Sequence, residues 1–393
     1  MSDHARPGND HTPPWNDDTP ARNDHPDQRS DHTPQGSSDR TRPGSGNRRA
    51  LPRPSFVLLA IVLGVALVAG VLAITRPWQP RPVRLVVLSD SLSEGMGQVT
   101  ALQNTWPHLV GARLRAERGE AAQGGGTWLP ASVNGQMFGF RTGTAGAGAW
   151  AATNKVGVPG AMAGGTVTWQ TAGFDSAVVQ VFAERPGELF TASSGDQQVG
   201  FTSPDAGLHS FTVDSLADTL TVRGDGVVVG VLGRAGHGSV EVYNLSWSGS
   251  STSDWLGWLD RPALLPLIES IDPDVIVLSL GGNDYWQGGD RDRFAAHLRT
   301  VHDRVAAAVP RASWVLGTQP VPDQTPAQDW TSFQQITEDY AERLGAPVID
   351  LVGLMPGAAV EPQLYSWDRI HLTDAGHAFI AGIAGPAIEE ALR

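Results

Sequence analysis

Leu85-Val86-Val87-Leu88-Ser89-Asp90-Ser91-Leu92-Ser93-Glu94-Gly95 is the stretch from which the rest of the chain is read. An apolar, strand-forming run stops abruptly at small polar residues, and a hydroxyl, Ser91, sits just past the strand's carboxyl end. In open parallel sheets that edge is where ligands bind, because the strand stops and the backbone turns away. A serine on such a turn faces a substrate; the plainer alternative is that Ser and Asp are there because they suit turns. The remainder of the chain decides between the two.

The chain has 393 residues and a formal charge of -13, which disfavours nucleic-acid binding through a basic face. It contains no cysteine, which excludes disulfides, thiolate catalysis and cysteine-ligated zinc. Residues 1–54 are rich in Asp, Arg, His, Pro, Asn and Ser and bury too little apolar surface to offset chain entropy, so a disordered tail is expected. Residues 55–75 contain the uncharged apolar stretch Phe56 to Ile74. As a helix it spans roughly 28 Å, the thickness of a bilayer core. Arg40, Arg42, Arg48, Arg49 and Arg53 crowd its amino-terminal side. The tail is therefore expected in the cytoplasm and the bulk of the chain outside a plasma membrane, as a single-pass protein. Cleavage of a signal peptide after Val71-Leu72-Ala73 is the alternative. Residues 76–82 read as a Pro-rich linker.

From 83 to 123 a strand is followed by a helix near Trp106 to Glu117. Between 124 and 246 helical periodicity disappears, and short alternating runs appear: Thr166 to Trp169, Ala177 to Phe182, Ser210 to Val213, Thr219 to Val222, Val227 to Leu232 and Val240 to Tyr243. These predict an inserted all-β sandwich of jelly-roll type. Over residues 247–393 strand and helix alternate again. One helix is expected near Ser253 to Ile271, then strand Val275 to Leu280, helix Arg291 to Val309 and strand Ser313 to Gly317. Helix Trp330 to Leu344, strand Val348 to Asp350 and helix Thr373 to Leu392 complete the chain, which implies a parallel sheet with helices on both faces.

Three segments then fall at one sheet edge: Ser91, Asn283 after Gly281-Gly282, and Asp368-Arg369-Ile370-His371. Together they hold a hydroxyl, an amide, a carboxylate and an imidazole, the set that acyl transfer requires. A serine needs a neighbouring base, which His371 supplies; the carboxylate of Asp368 holds the other imidazole nitrogen; Asn283 and backbone N–H groups serve a developing oxyanion. His377 is the rival base, although it lies within the last helix. Asp90 and Asp284 read as braces for their turns, Asp374 as serving the first turn of the last helix, and Glu94 as a solvated charge. Tyr285, Trp286 and Trp367 read equally well as pocket wall or as packing.

The pattern resembles the SGNH hydrolase superfamily, the GDSL esterases and lipases. Ser89-Asp90-Ser91-Leu92 resembles its first block, with Ser89 where Gly is usual. Trp247 to Thr252 resembles the second, Gly281-Gly282-Asn283-Asp284 the third, and Asp368 to Thr373 with Gly376 the last. The resemblance implies a flavodoxin-like three-layer α/β/α fold and ester hydrolysis without metal or organic cofactor. It also implies a triad of Ser91, His371 and Asp368, with an oxyanion hole from Ser91, Gly249 and Asn283. A sandwich in this position resembles the carbohydrate-binding-like domains of some peptidoglycan O-acetylesterases. The expectation is a membrane-anchored esterase acting on acyl esters, with a cell-envelope glycan as substrate. Acyl transfer by the same residues, and a catalytically inactive envelope-binding protein, are the alternatives.

Overall fold

The computed structural model describes residues 81–120, 124–131, 155–236, 238–323 and 327–393. The expected tail, the expected membrane helix, most of the Pro-rich linker and residues 132–154 of the expected sandwich lie outside the described residues. Among the described residues no helix is long and apolar enough to cross a membrane.

The first part of the chain forms β1 (Val83–Ser89), α1 (Ser91–Glu94), β2 (Gly97–Gln98) and α2 (Trp106–Glu117). Among the described residues ten strands follow: β3 (Gly125–Pro130), β4 (Met162–Ala163), β5 (Thr166–Gln170), β6 (Ser176–Ala183), β7 (Leu189–Ser194), β8 (Gln197–Thr202), β9 (Gly207–Asp214), β10 (Thr219–Gly224), β11 (Val227–Ala235) and β12 (Val240–Asn244). The last part holds α3 (Thr252–Leu259), α4 (Leu264–Ile271), β13 (Val275–Ser279), α5 (Gly282–Trp286), α6 (Arg291–Ala308), β14 (Ser313–Gly317), α7 (Ala327–Leu344), β15 (Val348–Ile349), α8 (Leu351–Leu354), β16 (Leu372–Thr373) and α9 (Asp374–Ala391).

The main sheet runs β15-β14-β13-β1-β12-β3-β11-β6-β9. It is parallel from β15 to β3 and antiparallel from β3 to β9. The fold is thus mixed α/β on a sheet rich in parallel pairs. The position of β1 in the middle explains the unbroken apolar run. Val86 and Leu88 point to one face, where α3, α4, α6 and α7 pack; Leu85 and Val87 point to the other, under α2 and α9. With both faces covered, alternation has no reason to appear.

The antiparallel half of this sheet packs on a second sheet, β5-β10-β7-β8, across a core that includes Trp169, Val179, Phe190, Leu220 and Val231. Two features differ from the sequence expectation. Val240 to Tyr243, expected among the sandwich runs, forms a parallel strand beside β1. Its pairing with β3 makes one sheet continuous between the parallel and the antiparallel strands. The single helix expected over Ser253 to Ile271 is two helices, α3 and α4. Pro262 lies between them; it lacks an N–H and disfavours helical backbone in the residue before it.

Candidate active site

β1 delivers Ser91 to the carboxyl edge of the sheet as the first residue of α1. Asp90 caps that turn, its Oδ1 accepting from Leu92 N at 3.1 Å. Ser89, standing where the resembled family usually has glycine, is accommodated by a proton chain. Trp106 Nε1 donates to Ser93 Oγ (3.0 Å), Ser93 Oγ to Ser89 Oγ (2.8 Å) and Ser89 Oγ to Ser279 O (2.7 Å). The buried hydroxyl is fully used, so the turn keeps its shape without glycine.

His371 Nε2 lies 3.0 Å from Ser91 Oγ, and His371 Nδ1 lies 2.6 Å from Asp368 Oδ2. An ionised carboxylate only accepts, so Nδ1 carries the proton and Nε2 offers its lone pair to the serine. The loop is wound to allow this. Asp368 Oδ1 accepts from Ile370 N (3.1 Å) and His371 N (2.9 Å), and Arg369 between them sits at φ 61°, the left-handed region. Burial pushes the Asp368 carboxyl up. The hydrogen bonds from the His371 side chain and from the two backbone N–H groups outweigh it, and the group lies below its ordinary value. β16, immediately after His371, pairs with β2, which follows α1, so one short ladder stitches the histidine segment to the serine segment. Gly97 in that ladder has φ 126°, and a Cβ there would meet Leu372 O at 2.5 Å.

Asn283, on the first turn of α5, donates from Nδ2 to Ser250 O (2.9 Å) and to Asp90 Oδ2 (3.3 Å). Gly249 is exposed at φ 80° on the loop between β12 and α3. Its neighbour Ser248 is held by Glu94, whose Oε2 accepts from both Ser248 N and Ser248 Oγ. Glu94 is 8 % exposed, which corrects its reading as a solvated charge. The α1 turn carries residues 91 and 94 on one side, so the carboxylate points inward beside the serine.

Asp284 braces the start of α3 by accepting from Thr252 N (3.0 Å) and Thr252 Oγ1. His377 is buried, and its Nδ1 accepts from Trp106 N at 3.2 Å. Burial pushes it down to about 3, so it stays neutral and pins α2 to α9. Thr373 caps α9, and Asp374 lies in its first turn as expected, where its carboxylate also accepts from Thr100 N (3.0 Å), Thr100 Oγ1 and Asn104 Nδ2 (3.1 Å).

Ser91, Asn283 and His371 line a cavity of about 160 Å³ together with Leu92, Val321, Pro322 and Trp330. Trp286 lines it and is 49 % exposed, whereas Trp367 is 73 % exposed. Tyr285 packs edge-on to Trp330 and Phe333, with ring centroids at 5.2 and 5.5 Å. Gln319, which the sequence reading passed over, is 2 % exposed and donates from Nε2 to Asp90 Oδ2 at 2.6 Å. It follows β14, a parallel strand of the same sheet, so its position past that strand's carboxyl end was a usable signal.

Residues 209–379 match the family model described as GDSL-like Lipase/Acylhydrolase family. The chain carries a GDSL-like lipase/acylhydrolase domain. The matched residues contain the second, third and last blocks; Ser91 precedes them. A domain of this kind hydrolyses carboxylic esters. No curated protein sequence matches it. Among solved structures it is similar to a peptidoglycan O-acetylesterase, with a TM-score of 0.61 at 16 % identity over 80 % of this chain and 92 % of that one. It is also similar to TesA, with a TM-score of 0.42 at 15 % identity over 79 % and 99 % of the two chains. The likeness to the first is one of fold.

Proposed function

We propose that the protein is a serine esterase that removes short acyl groups from a cell-envelope glycan, outside a membrane in which Phe56 to Ile74 anchors it. The carrying observation is the unbroken hydrogen-bonded chain from Ser91 Oγ through His371 to Asp368, at the wall of a cavity that Asn283 also lines. In this reading His371 Nε2 takes the proton of Ser91 Oγ as the oxygen attacks the ester carbonyl. Asp368 stabilises the imidazolium that forms. The Ser91 and Gly249 N–H groups and Asn283 Nδ2 receive the oxyanion. The intermediate collapses as His371 protonates the departing alcohol, and water, deprotonated by the same imidazole, frees the acyl group and restores the serine. A cavity of about 160 Å³ suits a short acyl chain. The fold likeness to a peptidoglycan O-acetylesterase, and the sandwich joined to the hydrolytic sheet, support a glycan as the alcohol.

The test is hydrolysis of short-chain chromogenic esters of increasing length. The expected result is turnover that falls as the acyl chain lengthens, and a loss of about 10³-fold or more in kcat in Ser91→Ala. Unchanged activity in that variant removes the mechanism.

A further inference from the structure

One buried carboxylate in the site has no part in the proton relay. Asp90 is 2 % exposed and accepts three hydrogen bonds, each from a different segment. Leu92 N belongs to the serine turn, Asn283 Nδ2 to α5, and Gln319 Nε2 to the segment after β14. A buried carboxylate is costly unless its oxygens are occupied, and here Oδ1 accepts from a backbone N–H while Oδ2 accepts from two side-chain amides.

The consequence lies in which way Asn283 faces. A carboxamide presents oxygen on one side and N–H on the other. With Asp90 Oδ2 and Ser250 O both facing the amide, only the NH₂ end fits. The flipped amide would set oxygen against two acceptors and put oxygen, not N–H, where negative charge develops. The contact to Asp90 is the longer one at 3.3 Å, so that N–H is the one left to be shared with an oxyanion.

We infer that Asp90 is a positioning residue that fixes the amide orientation of Asn283 and the Ser91 turn together, and that Gln319 holds Asp90 in place from behind. This rests on the triad reading above and extends it. The titratable groups facing Asp90 are His371, which attracts its charge, and Asp284, which repels it. Burial pushes Asp90 up to about 6, against the hydrogen bonds from Gln319 and Leu92 that hold it down. Protonating Asp90 converts one acceptor oxygen into a donor that faces N–H groups, so the lock on Asn283 loosens as pH falls through that range.

The experiment measures kcat and KM against pH on a short-chain chromogenic ester, using the full chain and its Ser91→Ala, Asp90→Asn and Gln319→Glu variants. Stoichiometric labelling by a fluorophosphonate counts folded, competent sites in the variants that retain Ser91. Per labelled site, Asp90→Asn is expected to lose about 10- to 100-fold in kcat with KM nearly unchanged. Gln319→Glu sets a second carboxylate against Asp90, and its acid limb of kcat is expected at higher pH than in the unaltered protein. A residue that only supported folding would lower the labelled fraction without moving that limb. Labelled Asp90→Asn with unaltered kcat, or Gln319→Glu with an unmoved limb, overturns the inference. Hydrolysis surviving in Ser91→Ala would sink the triad reading first and this one with it.

Discussion

Glu94 and Ser91 are three residues apart, and the distance between a solvated charge and a structural carboxylate is set by what stands opposite. Ser248 offers both its N–H and its hydroxyl to Glu94, and the next residue is Gly249, whose N–H the proposed mechanism uses. Glu94→Ala is therefore expected to release that loop. A fall of about tenfold in kcat, with little change in KM, is the expected outcome in steady-state kinetics. At this scale the sequence singled out the side chains that the structure brings into hydrogen bonding, and was poor on their supports. A Ser past a strand end and an Asp and a His three residues apart on one turn announce themselves, because few other arrangements need all three. Gln319 and Glu94 are ordinary polar residues whose roles exist only through partners 229 and 154 positions away.

α2 and α9 pack on the same face of the sheet and share a buried imidazole contact. His377 on α9 and His108 on α2 are both pushed down to about 3, first by burial. The unfolded chain binds a proton at each near pH 6.5, whereas the folded chain resists until about pH 3. Stability is therefore expected to fall as pH drops from about 6.5 toward 3, by at most about 2–3 kcal/mol per histidine at pH 4.5. Asp90, raised to about 6, acts in the opposite sense: its contribution is present at low pH and lost as pH rises through that value. Urea unfolding at pH 7 and pH 4.5 measures the net. His377→Gln, which retains an acceptor for Trp106 N, is expected to show the smaller drop between the two. Helix periodicity alone placed α2 and α9 correctly, but not the histidine that joins them, since a histidine within a helix reads equally as base or as pin until its neighbours are known.

The main sheet runs without a break from β15, at one edge, to β9 in the sandwich half. Excising residues 124–246 would remove β12 and expose the whole side of β1 that it covers. Such a protein is expected not to fold, which far-UV circular dichroism and soluble yield would report; a sandwich merely tethered to the hydrolytic part would leave a folded remainder. By itself the sequence determined the alternation of strand and helix, the two strand ends that carry the hydroxyl and the amide, and the turn before the last helix that carries the imidazole. Those features are local: apolar runs, turn residues and a tight Asp368-to-His371 loop each express their chemistry within a few residues. Only the tertiary structure decided that Val240–Asn244 is a neighbour of β1 and that Asp90 gathers the distant amides of Asn283 and Gln319. Strand pairing and buried hydrogen bonding are relations between segments far apart in the chain, and a strand carries the same alternation whichever neighbour it finds.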